Sequence, residues 1–173
     1  RTTDNGTTWM QITINLSDYN PYDIVVYSIH IDDYGRIYAG IRDGLIYSED
    51  NGMTWDFVNS GKWYKTVQSI LSDSNGSILA STIGRGIFRS IDNGNSWSLA
   101  NEGLKRLGIR SLAINNNGEI WVGAASSGIF SSTDYGQSWT NKNEGLKTFE
   151  VNEFLICANG NFLIVASTGN ADV

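Results

Sequence analysis

The chain has 173 residues, with 19 Gly, a single Pro and 12% aromatic side chains, a mixture that describes many short strands joined by tight turns and argues against long helices. Acidic residues outnumber basic ones 18 to 12, for a net charge of −6, and no basic run interrupts them, which excludes a nucleic-acid footprint built on clustered Lys and Arg. The single cysteine excludes a disulfide framework or a Cys-based metal site within the chain, and no apolar stretch has the length of a membrane span or the form of a signal peptide.

Taken from the start, Thr2-Thr3-Asp4-Asn5-Gly6-Thr7-Thr8-Trp9 introduces a pattern that returns as Ser48-Glu49-Asp50-Asn51-Gly52-Met53-Thr54-Trp55, then over Ser90 to Trp97 and Ser132 to Trp139. The aspartates Asp4, Asp50, Asp92 and Asp134 stand 46, 42 and 42 residues apart, and the longer first interval contains the loop Tyr19-Asn20-Pro21-Tyr22. A fixed period near 42 signals a repeat architecture.

The strand Ser28 to Asp32 alternates, and His30, the only histidine, reads as an outward or hydrogen-bonded structural group because no nucleophile accompanies it. Turns follow in the same register at Asp33-Tyr34-Gly35, Ser74-Asn75-Gly76, Asn116-Asn117-Gly118 and Ala158-Asn159-Gly160. In the second unit the spacing predicts strand A over Val67 to Leu71, B over Ser77 to Thr82, C over Gly86 to Ser90 and D over Ser96 to Ala100. Gly84-Arg85-Gly86 reads as the B–C hairpin, since no helix follows it to make a phosphate loop. Small residues at Ala39-Gly40, Ala80-Ser81 and Gly123-Ala124 mark places on strand B where neighbouring sheets converge. Cys157 lies in the apolar run Phe154 to Ala158 and reads as a small buried hydrophobe.

The expectation is therefore an all-β propeller of four-stranded antiparallel blades. Its units run approximately over 24–60, 66–101, 109–143, and 150–173 completed by 1–14. Joining the ends keeps the period, so the chain is four periods long and cut once inside a strand C. An excerpt of a longer array, with the remaining blades elsewhere in a longer chain, is the expected reading. Its alternative is closure through the first residues, within one chain or with a second copy.

The pattern Ser/Thr-X-Asp-X-Gly-X-Thr/Ser-Trp resembles the Asp box of the BNR-repeat propellers, a group that spans sialidases, xyloglucanase-type glycosidases, sortilin-like receptors, photosystem assembly factors and bacterial secreted or sensor propellers. The box marks an architecture and selects none of these functions. Its residues are read as structural: Asp4, Asp50, Asp92 and Asp134 accept backbone N–H bonds, Gly6, Gly52, Gly94 and Gly136 supply positive φ, and Trp9, Trp55, Trp97 and Trp139 bury their rings as blade caps. The boxes lack calcium-loop spacing, so no metal and no cofactor is expected.

A sialidase would need three converging arginines, and those present are scattered, while a xyloglucanase-like site would need paired carboxylates across two propellers. The resemblance instead implies a face formed by D–A and B–C loops, opposite the box turns. It would carry Tyr19, Tyr22, Trp63, Tyr64 and Lys65 from D–A loops with Arg42, Asp43 and Arg85 from B–C loops, suited to a protein or carbohydrate ligand. The later D–A copies, Asn101 to Lys105 and Asn143 to Lys147, read as linkers with Leu104 and Leu146 tucked into the core. The expected function is a non-enzymatic binding module, extracellular or periplasmic. The alternative is the non-catalytic part of a sialidase-like or xyloglucanase-like glycoside hydrolase.

Overall fold

The structure, a computed structural model, describes residues 1–17, 19, 24–58, 65–73, 75–147, 149–156 and 162–166, with side chains as far as Asn152. The described strands form three four-stranded antiparallel sheets and one hairpin. The first sheet holds β1 (Val26–Ile31), β2 (Ile37–Ile41), β3 (Gly44–Ser48) and β4 (Asp56–Phe57). The second holds β5 (Val67–Ser72), β6 (Ile78–Thr82), β7 (Gly86–Ser90) and β8 (Ser98–Leu99), and the third β9 (Ile109–Ile114), β10 (Ile120–Ala124), β11 (Gly128–Ser132) and β12 (Thr140–Asn141). The hairpin is β13 (Val151–Ile156) with β14 (Phe162–Ala166). Each sheet is a meander in chain order, the blade of a partial β-propeller, and no helix among the described residues is long and apolar enough to cross a membrane.

The repeat extends to local irregularities. Each first strand carries a bulge at its start, between Val26 and Ser28, Val67 and Ser69, opposite Gly123/Ala124, and between Val151 and Glu153. The A–B turns are pinned by a residue just ahead of the turn triplet: Asp32 Oδ1 accepts from the Tyr34 and Arg36 amides, Asp73 Oδ1 from Asn75 and Ser77, and Asn115 Oδ1 from Asn117 and Glu119. Such a side chain mimics a backbone turn and fixes the hairpin without long strands.

Blades stack face to face through their inner strands. Tyr38, Leu45 and Val58 of the first meet Val67, Ile70, Ile78 and Ala80 of the second, and Leu71, Leu79 and Ile87 of the second meet Leu112, Ile120 and Phe130 of the third. Each buried side chain of this size contributes about 1.5–3 kcal/mol. The convergence expected at strand B is steric: a Cβ on Gly40 would fall 2.6 Å from the Val67 carbonyl oxygen, and one on Gly123 would fall 2.6 Å from Val151 Cγ1. Leu16 joins Ala39, Ile41, Ile46 and Trp55 in a further cluster, with Ile14, Tyr19 and Ile24 packed against it. The outer face of β1 stays open. Ile29 matches the positions of Ile70 and Leu112 in the strand register, yet it is 68% exposed where each of those is 9%.

Candidate functional site

The two ends of the blades differ in chemistry. At one end lie the C–D hairpins. Asp50 Oδ1 accepts from the Ser48 hydroxyl and from the Met53 and Thr54 amides, and its Oδ2 accepts from the Thr54 hydroxyl at 2.6 Å. Ser48 Oγ in turn accepts from the Gly52 amide. The same set, except that the amide in the Met53 position donates to the aspartate's backbone carbonyl, is built around Asp4, Asp92 and Asp134.

Hydrogen bonds from Thr8 and Thr2 hold Asp4 down to about 2, and those from Thr54 and Ser48 hold Asp50 down to about 2. Ser96 leads the donors that lower Asp92. At Asp134 burial pushes upward but is outweighed by Ser138 and Ser132, leaving it at about 2. A carboxylate that accepts several donors is stabilised in its charged form, so these groups hold hairpins and are poor proton donors.

The box tryptophans do not all cap. Trp55 and Trp139 are buried, Trp97 is half-buried against Tyr38, and Trp9 is 74% exposed. The expectation of a buried ring thus needs correcting at Trp9. Each cap packs toward the blade or segment before it, Trp139 on the second blade and Trp97 on the first, whereas Trp9, outside those clusters, keeps the contact with its box glycine, Gly6, that Trp55 and Trp139 also make with Gly52 and Gly136.

The opposite end is built from B–C turns and D–A segments, and the two are tied together. Tyr19 OH donates to Asp43 Oδ2 at 3.0 Å; the Gly84 and Gly86 amides donate to Leu107 O, and the Ser126 and Gly128 amides to Phe149 O. Asn101 and Asn143 close the same junctions, each accepting from a strand-C amide and donating to a B–C carbonyl.

This face carries exposed Arg42, Lys65, Arg85, Lys105 and Arg106. Of the acids on these turns and segments, Asp43 is engaged by Tyr19 and Glu150 pairs with Arg110 at 3.5 Å, while Glu102 and Glu144 are exposed. The box end carries Asp32, Asp33, Glu49, Asp50, Asp73, Asp92, Glu119 and Asp134. Among the described residues, exposed cations thus outnumber exposed acids on this face, in a chain of net charge −6.

A cavity of about 510 Å³ opens on that face, lined by Lys105, Arg106, Ser126, Ser127, Asn143 and Phe149 among others. Ser126 sits at φ 99, where the second blade has Gly84 at φ 100. A non-glycine residue there is strained, and such outliers gather at functional surfaces. Phe149 is half exposed beside the two cations.

Of the residues singled out in the sequence, Arg42 and Arg85 are exposed on this face, whereas Tyr19 is spent on packing, its ring 5.5 Å from Phe57. Tyr22, Trp63, Tyr64 and Cys157 lie outside the described residues. Leu104 and Leu146 do pack inward, but the segments that hold them are more than linkers, since Lys105 and Asn143 line the cavity, with Arg106 and Phe149 just beyond them. The signal in the sequence was Ser126-Ser127 standing where the previous repeat has Gly84-Arg85. His30 is hydrogen-bonded as expected, Nε2 to Ser72 Oγ at 2.7 Å, and burial lowers its pKa. Among the described residues no group of three or more His, Cys, Asp and Glu converges to hold a metal.

No family model and no curated protein sequence matches the chain. Solved structures resemble it as propellers. The extracellular domain of BT4673 from B. thetaiotaomicron shares 16% identity at a TM-score of 0.66, over 82% of this chain and 20% of that one. An ancestral GH74 enzyme shares 22% at 0.62, over 82% and 21%. YCF48 bound to D1 peptide shares 20% at 0.69, over 96% and 55%. The chain thus spans between about a fifth and just over half of the length of these structures.

Proposed function

We propose that the chain is a non-enzymatic binding module of an extracellular or periplasmic protein, and that it holds an acidic peptide or protein segment on the face of B–C turns and D–A segments. The observation that carries this is the concentration of Arg42, Lys65, Arg85, Lys105 and Arg106 on one face of an acidic chain, where Lys105 and Arg106 line a cavity with Phe149 and neutral amides. A basic surface with an aromatic anchor steers an acidic partner and then holds it by burying the ring. The similarity to YCF48 with a bound peptide, and to an extracellular bacterial domain, supports a peptide ligand and an extracytoplasmic setting. The similarity to a GH74 enzyme favours a second reading, a non-catalytic part of a glycoside hydrolase.

Fluorescence anisotropy with a labelled oligo-glutamate peptide tests the proposal. Binding should weaken as salt rises, and the double variant Lys105→Ala, Arg106→Ala should weaken it by at least about tenfold. Affinity unchanged in the double variant, or no binding at low salt, would overturn it. Turnover of sialosides or β-glucans by the purified chain would overturn the non-enzymatic reading.

A further inference from the structure

The box end carries grooves at successive blade junctions, and they share a composition. At the first junction Tyr34 of the A–B turn meets Asn93 of the next box: a Cβ on Gly76 would fall 2.3 Å from Asn93 Oδ1 and 3.9 Å from the Tyr34 ring. Both residues line a cavity of about 410 Å³. At the second junction the assignment is reversed. Asn75 occupies the turn position of Tyr34, Tyr135 occupies the box position of Asn93, and both line a cavity of about 470 Å³ with Asn116, Asn117 and Glu119. Each junction therefore presents one tyrosine and one amide at the same two positions. The rings are open to solvent, 73% exposed at Tyr34 and 46% at Tyr135.

Tyr135 also occupies a backbone position that the other boxes give to asparagine. Asn5, Asn51 and Asn93 take φ of 55, 60 and 56, and Tyr135 takes 59. Asparagine tolerates this left-handed conformation, whereas a bulky ring is strained there. The strain is carried by a side chain that packs into no core cluster and faces the groove.

Charge narrows the ligand. At the first junction Arg36 is engaged by Glu49, by Asn93 O at 2.7 Å and by the Tyr47 ring. At the second, Glu119 accepts from Asn115 Nδ2 at 3.3 Å. The carboxylates Asp32, Glu49 and Glu119 line the two cavities beside the tyrosines and amides, which disfavours an anionic ligand and adds acceptors for hydroxyl groups. The apolar C–H face of a pyranose stacks on a tyrosine, and its hydroxyls pair with amides that both donate and accept. A groove repeated at blade spacing suits a ligand that itself repeats.

We propose that the box end binds a neutral oligosaccharide across these two junctions, with Tyr34 and Tyr135 as stacking platforms. This site is separate from the basic face.

The test is isothermal titration of the whole chain with cellohexaose, xylohexaose, laminarihexaose and mannohexaose in turn. At least one should bind, and Tyr135→Asn and Tyr34→Asn should each weaken it by about tenfold or more. Both substitutions install the residue that other repeats carry at that position, so folding is preserved, and a melt beside the titration verifies it. Lys105→Ala, Arg106→Ala should leave sugar binding unchanged. The proposal is overturned if none of the four sugars binds up to about 10 mM, or if a folded Tyr135→Asn variant binds as tightly as the wild type.

Discussion

Gly94 lies against Tyr38 of the preceding blade so closely that a Cβ added to it would fall 2.4 Å from the Tyr38 hydroxyl. The same glycine has φ 81, so one residue answers two demands: the left-handed turn of the hairpin and the close approach of two blades. Gly136 repeats the arrangement against Leu79, where a Cβ would sit 2.6 Å from Cδ2. The box hairpin thus belongs to its own blade and to the interface with the one before.

Gly94→Ala should destabilise the chain by about 2–4 kcal/mol, combining backbone strain with overpacking against a buried ring. Urea unfolding followed by tryptophan fluorescence measures it. Gly118 has φ 79 but nothing within 4 Å of its missing Cβ, so Gly118→Ala should cost only the backbone share, about 1 kcal/mol. Equal losses at both glycines would show that the blade contact does not matter.

Acid should weaken the fold in two steps. Burial lowers the pKa of His30 in the folded state, so the folded chain binds fewer protons than the unfolded one, and stability declines as pH falls below the ordinary histidine value of 6.5. The box aspartates also have folded values below their ordinary 3.8, with Asp4, Asp50 and Asp134 at about 2. Their contribution is complete well above 3.8 and is lost as pH falls from there through about 2. Urea midpoints across pH should show both windows, and His30→Gln should remove only the upper one.

Tyr135→Asn should raise stability by up to about 1 kcal/mol, because it returns a left-handed position to the residue that tolerates it. Thermal melts of the two forms decide the matter. A clear loss of stability would mean that the ring is a packing element and not a surface platform.

The open face of β1 should be sticky. Ile29 is exposed where the register places the buried Ile70 and Leu112 in later blades, and Ile31 beside it is 60% exposed, so self-association or docking of a further blade is expected there. Sedimentation should show association that grows with concentration and that Ile29→Lys reduces.

Much of this fold was legible because the repeat supplied independent copies of each signal. The box period located the C–D hairpins, the Gly-bearing triplets located the A–B turns, and the small residues of strand B located the crowding now seen at Gly40 and Gly123. The Asx residues Asp32, Asp73 and Asn115 precede those triplets and pin them, but polar residues beside a turn are too common for their role to be read without geometry. Periodicity also misled at Trp9, because a motif copy fixes the local hairpin but not the neighbour that would cover its ring.

The site was read less completely. Loop positions are set by contacts between segments distant in sequence, so Tyr19 looked like a ligand platform until Asp43 and Phe57 were found to occupy it. Lys105 and Asn143 looked like linker residues, yet both line the cavity with Ser126, Arg106 and Phe149.

The basic end of the blades is proposed as the partner-binding face. Amide chemical-shift mapping with the oligo-glutamate peptide tests it most directly. Shifts confined to 42–43, 84–85, 105–107, 126–128 and 149 would match the account, with 33–36, 93–95 and 133–136 unmoved. Shifts concentrated in those box and A–B turns, with the basic face silent, would contradict it.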